Sequence, residues 1–215
     1  MENERPLSLG LEQIKTLLLK MGKLSEETIT SALNSFNTQE DNHIQIQSWS
    51  NTLLILSEEV EDRATELMAL HQPMAGDLRS LKAYIKIAYD MERYGRYALD
   101  ISKIVNYSGT GKSFEIGNPT VEPMGTKVLD IVHLGNSLLY SRDQSLIWKL
   151  SELEAEIDNM YLDNLSKLST LKIIDSRTMI ANLLTIRYLE RMADHASYIA
   201  EAITYASTGK RITLR

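Results

Sequence analysis

Glu190 and Asp194 stand four residues apart in the segment Tyr188-Leu189-Glu190-Arg191-Met192-Ala193-Asp194-His195-Ala196. On a helix that spacing brings both carboxylates out of one face, with their Cβ atoms roughly 5–6 Å apart. Two like charges so placed repel unless a cation, a proton or a basic partner comes between them. Paired hard oxygen donors select Fe(III), Mn, Mg or Ca over softer metals. The same spacing also suits a solvated helix face on which Arg187 and Arg191 neutralise the acids as ordinary ion pairs. His195 follows Asp194, but a turn of about 100° per residue swings it partly aside. It reads as a hydrogen-bonding neighbour or as a further ligand.

Other chemistries find less support. The chain has no cysteine, which removes disulfides, thiolate nucleophiles and cysteine zinc sites. Di-iron helical-bundle enzymes use two Glu-x-x-His pairs on facing helices, and of His43, His71, His133 and His195 only His43 has a Glu three residues before it, Glu40, at a predicted helix start. No Gly-x-Ser-x-Gly elbow occurs. Thr110-Gly111-Lys112 lacks the leading glycine of a phosphate-cradling loop.

A formal net charge of −6 over 215 residues argues against general affinity for nucleic acid, which needs clustered Lys and Arg. The opening Met1-Glu2-Asn3-Glu4-Arg5-Pro6 lacks the basic start and apolar core of a signal peptide. No apolar run approaches the roughly 20 residues that span a bilayer. A cytoplasmic location is the simplest expectation. With 43% hydrophobic residues the chain can bury a core.

The elements that carry the acids are helices. Leu11, Ile14, Leu18 and Met21 follow three-and-four spacing, continued by Ala32, Leu33 and Phe36; Leu53, Leu56, Val60, Leu67 and Leu70 do the same. Alternating β-branched runs bounded by hairpin turns are missing. The pattern predicts helices near 7–36, 43–71, 75–107, 123–141, 144–169 and 175–207. Pro73, Pro119 and Pro123 fall at the breaks, and the Gly- and Pro-rich stretch from Ser108 to Gly125 is the one substantial linker. Helices this long pack as a bundle that buries their apolar stripes.

The chain also repeats itself. Laid 98 residues along, Asp77, Arg79, Ala83, Glu92, Arg93, Ala98, Ile101, Tyr107, Thr110, Gly111 and Lys112 meet Asp175, Arg177, Ala181, Glu190, Arg191, Ala196, Ile199, Tyr205, Thr208, Gly209 and Lys210. Shared bundle periodicity explains matches of Ala and Ile, but not of Asp-x-Arg, Glu-Arg and Thr-Gly-Lys together. The fold class is therefore all-α, two tandem three-helix bundles related by duplication. The expected boundaries are 7–107 for the first repeat, 108–122 for the linker, 123–208 for the second repeat and 209–215 for a basic tail. The glycine of Thr-Gly-Lys suits a helix stop, and the lysine suits the negative helix end.

Gln72-Pro73-Met74-Ala75-Gly76-Asp77-Leu78-Arg79, with Glu92-Arg93-Tyr94-Gly95 fifteen residues after Asp77, resembles the PhoU family of phosphate-signalling proteins. So do Glu190-Arg191-Met192-Ala193-Asp194-His195-Ala196, Met21-Gly22-Lys23 with Ser31-Ala32-Leu33, and Glu156-Ile157-Asp158-Asn159-Met160-Tyr161. The resemblance implies a cytoplasmic, homodimeric regulator of phosphate uptake and phosphate-starvation signalling. It implies contacts with the ATPase of a phosphate ABC transporter and with a phosphate sensor kinase. It further implies iron or another hard divalent or trivalent cation on a Glu-x-x-x-Asp motif in each repeat, with an acid from the middle helix, although the fold itself needs no cofactor.

Carried over by residue, the second repeat keeps Glu190, Asp194 and Asp158 as its metal face. The first keeps Glu92 but has Arg96 in place of the family's Asp and Leu54 in place of its middle-helix acid. A guanidinium supplies donors where a cation needs acceptors. Arg96 can instead pair with Glu92, so one acidic site is intact and the other is degenerate or repurposed.

The remaining residues have plainer readings. Asp77 and Asp175 open helices, where capping or the helix dipole accounts for an acid; by resemblance, Asp77 and Arg79 can also face a partner. Met21, Met68, Met74, Met91, Met160 and Met192 fill core gaps. Tyr84, Tyr89, Tyr94 and Tyr97 suit an interface between repeats or between protomers. The tail from Lys210 to Arg215 reads as a solvated end. Three function classes follow: a non-enzymatic regulator, a metal-dependent helical-bundle enzyme, and a purely structural adapter.

Overall fold

Heptad-like apolar stripes organise six helices: α1 (Glu4–Thr38), α2 (His43–His71), α3 (Gly76–Ser108), α4 (Val121–Ser137), α5 (Ser145–Thr170) and α6 (Ser176–Thr208). The computed structural model describes residues 4–38, 40–108, 121–141, 143, 145–170 and 176–214. Expected and observed helices agree closely, with one revision at α4. It begins at Val121 and holds Pro123 in its first turn, where the missing N–H would have no helical partner. It ends at Ser137, and Leu138–Tyr140 form a turn instead of helix.

Local side chains set several helix starts. Asp41 Oδ1 accepts the His43 N–H at 3.1 Å, and Asp143 Oδ1 accepts the Ser145 N–H at 2.9 Å. The latter bond holds the Asp143 carboxyl below its ordinary range. Between α2 and α3, Gln72 (φ 46°) and Ala75 (φ 44°) are both left-handed, which folds the chain back sharply. Gly209 ends α6 at φ 72°, the helix stop expected from Thr-Gly-Lys. Its counterpart Gly111, with Thr110, Lys112, Pro119 and Asp175, lies outside the described residues.

α1, α2 and α3 pack on one another, and α4, α5 and α6 do the same. The two triplets meet where α3 lies along α6 and α1 along α4, while α2 and α5 touch only their own triplets. The buried core runs from Ile14, Leu18, Met21 and Phe36 through Met91 and Tyr94 to Leu189 and Met192.

Three expectations change. Met74 lies in the α2–α3 turn, outside any helix, and is 81% exposed, so it fills no core gap. Leu70, in the last turn of α2, is exposed as well. The tail is not a solvated end: Leu214 packs against the core, its N–H donates to Glu201 Oε1 at 3.1 Å, and its carbonyl accepts from Ser151 Oγ at 3.3 Å. An apolar residue near the end of the basic tail found a place between α5 and α6.

Candidate functional site

The stretch from Arg187 to Asp194 forms about two turns of α6, so its acids and arginines share a surface. Arg187 Nη1 donates to Glu190 Oε1 at 2.7 Å, and Arg191 Nη1 donates to Asp194 Oδ2 at 3.4 Å. Both carboxylate side chains are only 13% exposed. Burial raises the Glu190 carboxyl above its ordinary value; Arg187 opposes that shift, while Asp194 and Asp158 add to it. Asp158 and Asp194 therefore both act electrostatically on Glu190. Glu190 Oε2 is buried and has no hydrogen-bond partner.

Glu154 was missed in the sequence. It lies one turn before Asp158 on α5 and is buried, whereas Asp158 is exposed. Its signal was present: Glu154 and Asp158 repeat the four-residue spacing of Glu190 and Asp194. An acid preceded by a leucine in an amphipathic helix looks like the solvent face, and only packing shows otherwise. Among the described residues, no group of three or more His, Asp or Glu side chains converges closely enough to hold a metal ion as the side chains stand. Arg187 and Arg191 each take one oxygen of the acids instead.

The first repeat builds the same place differently. Arg96 Nε donates to Glu92 Oε1 one turn away, and the Glu92 side chain is only 5% exposed. The ion pair anticipated from spacing is present. That bond also raises the Arg96 guanidinium further above its ordinary value. Leu54, Ser50 and Asn51 of α2 join Glu92, Arg96, Leu99, Asp100 and Lys103 of α3 around a depression of about 300 Å³.

His195 turns away from these acids altogether. It is buried in the seam between the repeats, where Nδ1 donates to Asp90 Oδ1 at 2.9 Å. Lys86 Nζ donates to the other Asp90 oxygen at 3.3 Å, and the Tyr97 hydroxyl lies 3.3 Å from His195 Nε2. The Tyr97 side chain also lies close enough to raise the Arg191 guanidinium above its ordinary value. A polar chain thus runs from Tyr97 through His195 and Asp90 to Lys86. Beside it, burial pushes the Tyr94 hydroxyl well above its usual range, with Asp90 and Glu26 adding to the effect, and the hydroxyl has no hydrogen-bond partner. Tyr94 and Tyr97 line the inter-repeat seam, as two of the five tyrosines on α3; Tyr89 is half exposed.

This seam carries the imprint of the duplication. Shifting by 98 residues turns Asp90 into Tyr188 and His195 into Tyr97. Tyr97 and Tyr188 are themselves stacked, ring centroids 5.7 Å apart. The two pairs are pseudo-twofold mates across antiparallel α3 and α6. Arg79 obeys the same geometry: its guanidinium lies against Gly209, the stop of the opposite repeat's last helix, with its Nε buried and unpartnered. A cation there complements the negative end of α6. Asp77, in the first turn of α3, remains exposed. On the other side, Asn136 of α4 donates to the Gly22 carbonyl at 3.1 Å and to Glu26 Oε1 at 2.8 Å of α1.

A family model described as the PhoU domain matches residues 18–105 and again 121–203. A phosphate-specific transport system accessory protein PhoU homolog of Zymomonas mobilis is 30% identical over 94% of this chain and 86% of its own length. The corresponding homolog of Clostridium acetobutylicum is 26% identical over 95% of each chain. The phosphate transport system regulatory protein PhoU of Streptococcus pneumoniae has the same fold, with a TM-score of 0.87 at 22% identity, covering 96% of this chain and 99% of that one. PhoU of Pseudomonas aeruginosa superposes with a TM-score of 0.85 at 24% identity, covering 94% and 99%. Two family domains in tandem, over two helical triplets that share a pseudo-twofold seam, make this chain a member of the PhoU family.

Proposed function

We propose that the chain is an accessory regulator of a phosphate transport system, acting in the cytoplasm by protein contacts and not by catalysis. The observation that carries this reading is the match of both repeats, end to end, to relatives named as accessory proteins of phosphate-specific transport. The partners that fit are the ATPase of a phosphate ABC transporter and a phosphate sensor kinase, met by a homodimer of this chain. Met179, Ile180, Leu183 and Leu184 form an exposed apolar stretch of α6, a surface that suits protein contact. Among the described residues, no helix is long and apolar enough to cross a membrane.

The second repeat is the place for a hard cation. The fit rests on the donor set and on the buried Glu190 oxygen that lacks a partner. Glu190, Asp194 and Asp158 would hold the ion, with Glu154 behind them on the same face of α5. A bound iron or manganese would supply positive charge to that surface, and Arg187 and Arg191 would then be free to turn toward other anions.

Deleting the gene should alter phosphate uptake and the transcription of phosphate-responsive genes; a strain indifferent to phosphate supply would refute the regulatory role. Elemental analysis of the purified protein tests the cation. Metal content should disappear in Glu190→Ala/Asp194→Ala, and the same content in variant and parent would refute this site.

A further inference from the structure

We propose that Arg96 is a tethered counter-cation, which leaves the first repeat charge-balanced without a metal ion and the second repeat as the only half that responds to one. The proposal rests on the cation reading of the second repeat for its contrast, but its own evidence lies at Glu92. A buried carboxylate must be neutralised or paired. Glu92 is paired by a guanidinium of its own helix, and neither of its oxygens is left buried without a partner. The equivalent Glu190 keeps such an oxygen.

The surroundings exclude an ion from the first repeat. Leu54, which by the family's spacing takes the place of Asp158, lines the depression and offers no oxygen to an ion. Around the depression the acids are Glu92 and Asp100, and each already has a basic partner: Arg96 for the first, Lys103 at 2.9 Å for the second. An entering cation would meet the half-exposed Arg96 guanidinium, a like charge that offers donors and no acceptor. In the second repeat Arg187 and Arg191 each reach one oxygen of Glu190 and Asp194, yet Glu190 keeps a buried oxygen that neither satisfies.

The test compares variants of the full chain by thermal unfolding and by Mn²⁺ titration. Arg96→Gln should lower Tm by several degrees at neutral pH, because Glu92 loses its counter-charge. Glu92→Gln/Arg96→Gln should recover most of that loss and leave Mn²⁺ stoichiometry at the parent value. Leu54→Asp/Arg96→Asp should bind one more Mn²⁺ per chain than the parent, whatever the parent value, zero included. Equal destabilisation of the single and double glutamine variants would overturn the proposal. So would loss of bound Mn²⁺ in Glu92→Gln/Arg96→Gln, which keeps Glu190 and Asp194 intact. A parent that binds no Mn²⁺ would sink the cation reading of the second repeat while the Tm comparison still judged Arg96.

Discussion

At equivalent places on the two third helices, Glu92 lies under a guanidinium from its own helix, and Glu190 retains an oxygen that nothing satisfies. The backbones around them follow one plan, repeated 98 residues apart, so the contrast comes from side chains alone. Duplication copied a scaffold and left each copy free to change its chemistry. The seam shows the same divergence: one side of the pseudo-twofold axis holds the buried Asp90–His195 pair, and the other holds the stacked Tyr97 and Tyr188. A symmetric backbone thus joins its halves by a charge-assisted hydrogen bond on one side and by ring stacking on the other.

The largest effect should come from that seam. His195→Ala leaves the buried Asp90 carboxylate with Lys86 as its basic partner, and should lower stability to urea by about 3–5 kcal/mol. Tyr97→Leu, at the mate position, should cost distinctly less; equal losses would mean that the axis does not separate two kinds of contact.

The next effect tests how tightly each triplet closes. A Cβ on Gly95 would meet Leu53 Cδ1 at 2.7 Å and the backbone Ser50 Cα at 3.2 Å, so α2 approaches α3 only because the side chain is absent. Its counterpart is Ala193, buried without difficulty. Gly95→Ala should destabilise by about 1–3 kcal/mol through overpacking. Unchanged urea stability would show that the two triplets close to the same distance.

The smallest effect is electrostatic. Glu190 has its folded-state value raised, chiefly by burial, so the folded chain binds more protons than the unfolded one between the two values. Stability should therefore fall as pH rises through that window, and this portion of the slope should vanish in Glu190→Gln. Chemical unfolding of parent and variant between pH 4 and 7, chosen roughly to bracket carboxylate titration, measures the slope in each.

Much of the candidate site could be read from residue spacing. Glu190 and Asp194 on one face, the pairing of Arg96 with Glu92, and the αL stop at Gly209 all follow from distances of one helical turn or less, which a sequence displays directly. Glu154 stayed hidden because a charged residue is exposed far more often than not, and its burial depends on how α5 is rotated against α6. His195 was assigned to the neighbourhood of Asp194, whereas its partner is Asp90, 105 residues earlier. The contact of Arg79 with Gly209 at the end of α6 was equally out of reach, because it joins positions 79 and 209 across the seam.

Taken by itself, the sequence established the helices, their breaks and the doubling, because apolar periodicity, Gly and Pro punctuation and self-similarity are local or linear properties of the chain. Which carboxylates are buried, which oxygen is left without a partner, and which residues meet across the seam were decided only when α3 and α6 packed antiparallel. That packing joins residues about 100 positions apart through contacts whose register no single segment encodes.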